Sequence, residues 1–287
     1  MKGLNLIIES GATKTSWLLL YPNGESKTIS TSGINVATMP AQTIQDIVDY
    51  AVSDFGNDFQ PEEIHFYAAG LIVKEGEKVP VLAKSLHECL VGAFPNAEIE
   101  YASDLLAAAR AVCRRNSGIA GILGTGSNSC FYDDGKIVKN VRSAGFILGD
   151  EGSGACLGKL FISDFLKGLV PDAVAKEFSE TFPSDYATVV SNVYRGEAPS
   201  KYLGTFAPWI LEHYDSDEYV HNLVEKNFRN FMERVLCQYD TEKYEVGIVG
   251  GFGFANQEII RKVGSEYGIR FRCFLRDSME GLQEYHK

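Results

Sequence analysis

Two stretches of this chain open in the same way, and the repetition limits what the whole can fold into. Residues 4–30 read as strand, small-residue turn, strand, Asn-Gly turn, strand. Residues 119–140 read as the same series with an Asp-Gly turn. In the first, Leu4 to Ile8 is a buried strand, Gly11 to Thr15 a turn, Ser16 to Tyr21 a second strand and Ser26 to Ser30 a third. In the second, the strands are Ile119 to Leu123, Ser129 to Tyr132 and Lys136 to Asn140, with Gly124 to Asn128 as the turn. The letters barely match, so the repeat is one of architecture. β-Meanders are common enough for coincidence. A Gly/Ser/Thr turn at the same place in each makes two domains of one topology the stronger reading.

The rest of each half alternates helix and strand. Ile44, Ile47, Val48 and Ala51 recur at helical spacing, which predicts a helix over Ala41 to Phe55. Glu63 to Ala68 reads as a strand, Val79 to Leu90 as a helix, Glu98 to Ala102 as a strand, and Leu105 to about Arg115 as a helix. The second half carries a helical region from about Ser153 to Leu236. Strand Glu245 to Val249, helix Gln257 to Glu266, strand Ile269 to Leu275 and a short helix from Met279 complete it. The length of 287 residues suits two domains at roughly 150 residues each. The expected division is 1–105 and 106–287. A helical insertion at about 153–240 and a C-terminal helix at about 278–287, packing back on the first domain, complete the scheme.

Composition removes several functions. Lys plus Arg number 27 against 38 Asp plus Glu, a net charge of −11. Such a surface repels nucleic acid and anionic membrane. No apolar run approaches the ~20 residues of a spanning helix. The six cysteines form no C-x-x-C pair, so reduced thiols in a cytoplasm are expected rather than zinc or disulfides. The five histidines form no constellation, and no G-x-S-x-G elbow supports a hydrolase.

Five short motifs carry the chemistry. Glu9-Ser10-Gly11-Ala12-Thr13-Lys14-Thr15 joins two strands with small residues, hydroxyls and one ammonium, donors that suit a phosphate chain. Alone it could equally be a hairpin with a solvated lysine, and it lacks the Walker A spacing. Gly124-Thr125-Gly126-Ser127-Asn128 repeats that chemistry without charge, and two such turns could clamp one polyphosphate. Asp104 stands where a strand ends and a helix begins. It reads as an N-cap or as a general base at the carboxyl edge of the sheet, and Ser103 could cap in its place. Gly145 to Gly154 brackets Asp150-Glu151 with four glycines, more than a cap needs, and a carboxylate there can bond a sugar hydroxyl or a metal-bound water. Gly250-Gly251-Phe252-Gly253 follows a strand but fails the dinucleotide fingerprint, because Asn256 replaces the third glycine. Close backbone approach to a flat ligand such as adenine suits it better.

These residues resemble the actin/hexokinase/Hsp70-type phosphotransferases, and within them the BadF/BadG/BcrA/BcrD-type ATPase family, N-acetylglucosamine kinase branch. The likeness spans essentially the whole chain. It is most specific at Leu-Gly-Thr-Gly-Ser-Asn, 123–128, and Gly-Asp-Glu-Gly-Ser, 149–153. The resemblance implies an α/β fold of two RNase H-like βββαβα domains, a helical insertion in the second, and a nucleotide cleft between them. It implies an ATP-dependent carbohydrate kinase that phosphorylates a hydroxyl of N-acetylglucosamine or a related amino sugar, with ATP and Mg²⁺. Carried over by position, Gly11, Thr13 and Lys14 match the first phosphate loop, and Gly124, Thr125 and Gly126 the second. Asp104 matches the base, Gly250 and Gly251 the adenosine loop. Asn35, Ser127, Asn128, Gly145 and Asp150 match sugar contacts, and Ala68-Ala69-Gly70 sits at a small-residue sugar loop. The first loop in the family opens with Asp, which helps hold Mg²⁺ through water; here Glu9 stands there. Val36-Ala37 replace the usual aromatic neighbour of Asn35.

Two other functions fit the same residues. An ATPase activator of this family would need cysteine ligands for an iron–sulfur cluster, with Cys130 and Cys156 the nearest candidates. A catalytically weak sugar-binding sensor is the non-enzyme reading. A homodimer is left open.

Overall fold

The computed structural model describes residues 3–11, 14–56, 59–74 and 76–287. The described elements fall into two compact units. Unit 1 is Met1–Asn116, Asp134–Lys136 and Asp277–Lys287; unit 2 is Ser117–Asp133 and Ile137–Arg276. Each owns one five-stranded mixed sheet and a separate hydrophobic core.

Unit 1 holds β1 (Asn5–Ser10), β2 (Lys14–Leu20), β3 (Ser26–Ser32), α1 (Ala41–Phe55), β4 (Glu63–Ala68), α2 (Lys84–Ala93), β5 (Glu98–Ser103) and α3 (Asp104–Cys113). Its sheet order is β3-β2-β1-β4-β5. β1 pairs antiparallel with β2, Ile8 opposite Trp17, and parallel with β4, Ile8 opposite Phe66. All three side chains are 0–1% exposed, because the central strand has both faces covered. The first unit runs past the expected break at 105 and takes in α3.

Unit 2 holds β6 (Gly118–Leu123), β7 (Ser127–Asp133), β8 (Lys136–Val141) and a one-turn α4 (Gly145–Leu148). Six further helices follow: α5 (Gly154–Phe165), α6 (Asp172–Thr181), α7 (Tyr186–Tyr194), α8 (Pro199–Gly204), α9 (Ala207–Glu212) and α10 (Glu218–Arg234). Then come β9 (Val246–Val249), α11 (Gly251–Ala255), α12 (Gln257–Ser265) and β10 (Phe271–Leu275), while α13 (Met279–His286) belongs to unit 1. The sheet order is β10-β9-β6-β7-β8, so both sheets place their first strand centrally, flanked by one antiparallel and one parallel neighbour. The insertion packs through α10, whose Val220, Val224, Phe228 and Phe231 are all fully buried. Each such side chain is worth roughly 1.5–3 kcal/mol relative to exposure.

Three local expectations are corrected. The strands β1, β2 and β7 run further into their turns, so Lys14, Thr15, Ser127 and Asn128 are strand residues rather than turn residues. The helix expected from Val79 begins only at Lys84. Pro80 lacks an N–H and drives its predecessor out of the helical region, leaving a 3₁₀ turn at Val81–Ala83. The adenosine-loop glycines lead not into one helix but into two, α11 and α12, broken at Asn256.

Candidate nucleotide and acceptor sites

In unit 2 a cavity of about 700 Å³ opens beside the second turn. Backbone at Gly124, Thr125, Gly154 and Gly251 forms one side, and Ala207, Pro208 and Leu211 of α9 another. Polar groups are few: Thr125, Glu212 and Asn256. The turn is rigid because it is bonded to α5. Gly154 N donates to Gly124 O and Ala155 N to Thr125 O, both at 3.0 Å, and Gly124 N donates to Gly126 O. Gly250, at φ +124°, lets this loop press on the same turn; a Cβ there would lie 2.4 Å from Leu123 O. Gly124 and Gly251 face open space instead. A flat ring on glycine backbone, with a phosphate tail along the turn, suits such a shape. The wall from α9 lay beyond sequence reasoning, since residues 207–212 show only apolar spacing that any packed helix would show.

Asp150 adjoins this turn. Its N–H donates to Ser143 O at 2.9 Å and its Oδ1 accepts from Ser127 N at 3.2 Å. Burial raises its pKa, opposed by the Ser127 N–H and by Lys159. The segment around it holds Ala144, Gly145, Asp150 and Gly152 at φ between +55° and +77°, left-handed backbone that costs non-glycine residues of the order of 1–3 kcal/mol each. From the other side α10 braces it: Arg234 pairs with Glu151 at 3.1 Å and Asn227 Nδ2 donates to Ser153 O. Ser153 caps α5 by accepting from Cys156 N. Ser127 is buried, and Gly145 is exposed. Asn128 turns its Oδ1 to Ser129 N and Asn140 Nδ2, so it braces the sheet.

In unit 1, Asp104 opens α3. Ser103 Oγ takes the capping bond from Leu106 N, and Asp104 Oδ1 accepts from Leu105 N at 2.8 Å. Burial raises the Asp104 pKa above the ordinary carboxylate range. Glu9, at the end of β1, is also raised, first by burial and then by the negative charges of Asp277 and Asp104, while Lys14 and the Ser278 hydroxyl act the other way. Asp104, Asp277 and Lys14 thus all act on Glu9, and Lys14 is exposed. Ser278 is 1% exposed, and its Oγ has no hydrogen bond of normal geometry among the described residues. Thr13 lies outside the described residues, and Gly11 N closes the turn on Lys14 O.

The Thr15 hydroxyl is not a free donor, as the strand-to-strand turn suggested. It is fully buried and bonded to Ser10 Oγ at 2.8 Å, and both accept from Ile34 N, at 3.1 and 2.9 Å. This knot, invisible in the sequence, ties the first turn to the loop carrying Asn35. Asn35 itself is exposed and closes its own loop by accepting from Ala37 N.

No group of three His, Cys, Asp or Glu that could enclose a metal occurs among the described residues. Mg²⁺ ordinarily takes one or two carboxylates plus phosphate oxygens and water, so Glu9, which feels the charge of Asp277, fits a cation that arrives with its phosphates.

No protein-family model matches this chain, and no curated protein does. Solved structures do. The "Putative N-acetylglucosamine Kinase" from Chromobacterium violaceum shares 17% identity over 99% of each chain, with a TM-score of 0.72. The ROK family glucokinase from Streptomyces griseus, solved with glucose and AMPPNP, shares 16% over 99% of this chain and 98% of that one, with a TM-score of 0.60. These likenesses and the paired sheets define a two-domain α/β protein of the actin/hexokinase-like fold. The "Putative N-acetylglucosamine Kinase" from Porphyromonas gingivalis shares 36% identity over 98% of both chains, with a TM-score of 0.86. The chain belongs to that protein's family, the N-acetylglucosamine kinase branch of the BadF/BadG-type ATPases.

Proposed function

We propose that the protein is an ATP-dependent kinase of N-acetylglucosamine or a closely related amino sugar. The observation that carries this reading is Asp104. Its carboxylate is desolvated at the carboxyl end of a sheet, and Ser103 performs the helix-capping that would otherwise account for it. A raised pKa brings a general base nearer to working pH, where it is both ionised and a competent proton acceptor. Asp104 would take the proton of the attacking sugar hydroxyl. The glycine-walled cavity would take the adenosine of ATP, with Gly251 on its base side, Gly250 holding that loop against the turn, and Gly124, Thr125 and Gly126 along the phosphates. Gly11, Thr13 and Lys14 are the candidates for a further phosphate contact, with Lys14 as the source of charge. Asn35, Ser127, Asn128, Gly145 and Asp150 are the candidate sugar contacts.

Glu9, with Asp277 beside it, would receive the Mg²⁺ that accompanies ATP. When bound, that ion neutralises charge on the phosphate oxygens. The relatives support this function by family and by name; the glucokinase was solved with a sugar and a non-hydrolysable ATP analogue.

A coupled assay of ADP release across N-acetylglucosamine, glucosamine, N-acetylmannosamine and glucose tests the proposal. Sugar-dependent turnover greatest with the N-acetylated hexosamine is the expected result. Tight sugar binding without turnover would make the protein a sensor, and no response to any sugar would reject the acceptor class.

A further inference from the structure

The segment 143–152 holds four residues in left-handed backbone, yet its one-turn helix α4 has no side-chain cap at its N-terminus. The Gly149 N–H satisfies Gly145 O, which leaves the later carbonyls of α4 to find donors elsewhere. One comes from a different helix. Lys159, in the second turn of α5, donates from Nζ to Phe146 O at 2.5 Å. The same ammonium acts favourably on the Asp150 carboxylate. Lys159 is half-buried, so its charge is not simply a solvated decoration of the helix. Gly149 is packed so closely that a Cβ would lie 2.0 Å from Ser143 O, and Asp150 N bonds that same oxygen. The segment is therefore closed at its base by Ser143 and Asp150, braced by α10 on one side, and held by Lys159 at its tip.

We infer that Lys159 is a positioning residue for acceptor binding, holding α4 and the Asp150 carboxylate in the arrangement that meets the sugar. The inference rests on the acceptor reading of Asp150 given above. Lys159 carries no reacting atom; it acts through Phe146 O and Asp150. The ammonium donates to Phe146 O and its charge favours the Asp150 carboxylate, whereas an apolar side chain of similar length does neither.

Lys159→Met and Lys159→Arg test this. Two readouts are needed: sugar and ATP affinity by titration calorimetry, and hydrogen exchange of the 145–150 amides. Lys159→Met should weaken N-acetylglucosamine binding at least about tenfold, change ATP affinity less than about twofold, and speed exchange at 145–150 while α10 amides stay protected. Lys159→Arg, which keeps the charge and donors, should restore most of the sugar affinity. Unchanged exchange at 145–150 in the Met variant overturns the positioning role, as does an equal loss of sugar and ATP affinity. Faster exchange in the Met variant, joined to a wild-type protein that binds no amino sugar, overturns the acceptor reading and the sugar half of this inference with it. The loop contact itself would then stand as structural.

Discussion

At Gly250 a Cβ would meet Leu123 O at 2.4 Å, and at Gly253 it would meet Ile248 Cγ2 at 2.7 Å, whereas at Gly124 and Gly251 it would meet nothing within 4 Å. The first pair are glycine so that the protein can close on itself. The second pair have room for a side chain in the protein but line the cavity, so a ligand held there would account for their lack of one. Substitutions should separate the two. Gly124→Val and Gly251→Val should weaken ATP binding by about tenfold or more, with melting temperature nearly unchanged. Gly250→Ala should lower the melting temperature, since it adds a clash at a φ of +124° that disfavours any side chain. Calorimetric titration beside thermal melts checks both; a large melting loss at Gly124 would mean that the turn is structural. Asp104 makes a different prediction at the same scale. Asp104→Asn should cut kcat by ~10²–10⁴-fold while ATP affinity holds. Because burial raises the Asp104 pKa, the acid limb of kcat/KM in the wild type should lie above the ordinary carboxylate range. Activity is present above that pKa and lost as pH falls through it. A fully active Asn variant would reduce Asp104 to a helix-start residue.

At the scale of elements, α13 shows what the sequence could and could not reveal. Its existence is read in the sequence as a short helix from Met279. What anchors it was not, because the anchors are distant in sequence. Gly281 lets α13 touch α3, where a Cβ would meet Ala111 at 2.5–2.6 Å. His286 Nε2 lies 2.9 Å from the Tyr67 hydroxyl, and its ring lies 3.9 Å from that of His65, tilted by 32°. Arg110 ties Tyr67 to Glu100 with bonds of 2.6–2.9 Å, and Glu100 also meets His65 at 2.7 Å. Two of the histidines that form no constellation in the sequence, His65 and His286, thus belong to one network with Tyr67, Glu100 and Arg110. The same limit governs the Ser10–Thr15–Ile34 knot and the α9 wall of the cavity. Local periodicity and turn chemistry expose strands, helices and glycine loops, but not which distant side chains converge.

The network has a pH consequence. His286 is depressed to about 3 by burial and then by His65 and Arg110, with Arg115 adding and Glu100 opposing. A histidine ordinarily near 6.5 that stays neutral in the folded protein binds its proton in the unfolded one. The stability it contributes is therefore whole above pH 6.5 and falls as pH drops towards 3. Glu100, lowered to about 2 by the His65 and Arg110 bonds against its own burial, adds a second loss that begins only near pH 4.5. Between pH 6.5 and 4.5 the histidine acts without it. His286→Gln should flatten the fall in stability across that window, as read by urea melts at fixed temperature. An unchanged slope would show that the latch does not titrate.

At the scale of the whole molecule, the informative fact is that two closed cores share no residue. One is built from Leu6, Trp17, Val48, Phe66 and their neighbours, the other from Leu123, Phe161, Phe228, Phe231 and theirs. All residues lining the glycine-walled cavity belong to unit 2. A ligand stabilises only the state that binds it, by about 2.7 kcal/mol at one hundred times its dissociation constant. For a unit of roughly 150 residues that corresponds to a rise of about 5–10 °C in melting temperature, taking about 2–4 °C per kcal/mol. Scanning calorimetry should therefore resolve two transitions, and a non-hydrolysable ATP analogue should move one of them, that of unit 2, more than the other. Leu236→Ala, which opens a hole in the core of unit 2, should lower that same transition by the equivalent of about 2–5 kcal/mol and leave the other in place. Leu86→Ala, in the core of unit 1, should lower the transition that the nucleotide moves less. If the analogue shifts the Leu86-sensitive transition more instead, nucleotide binds mainly on unit 1 and the cavity assignment fails. If one transition responds to everything, the cores unfold as one, and the nucleotide's place must be read from Gly124→Val and Gly251→Val alone.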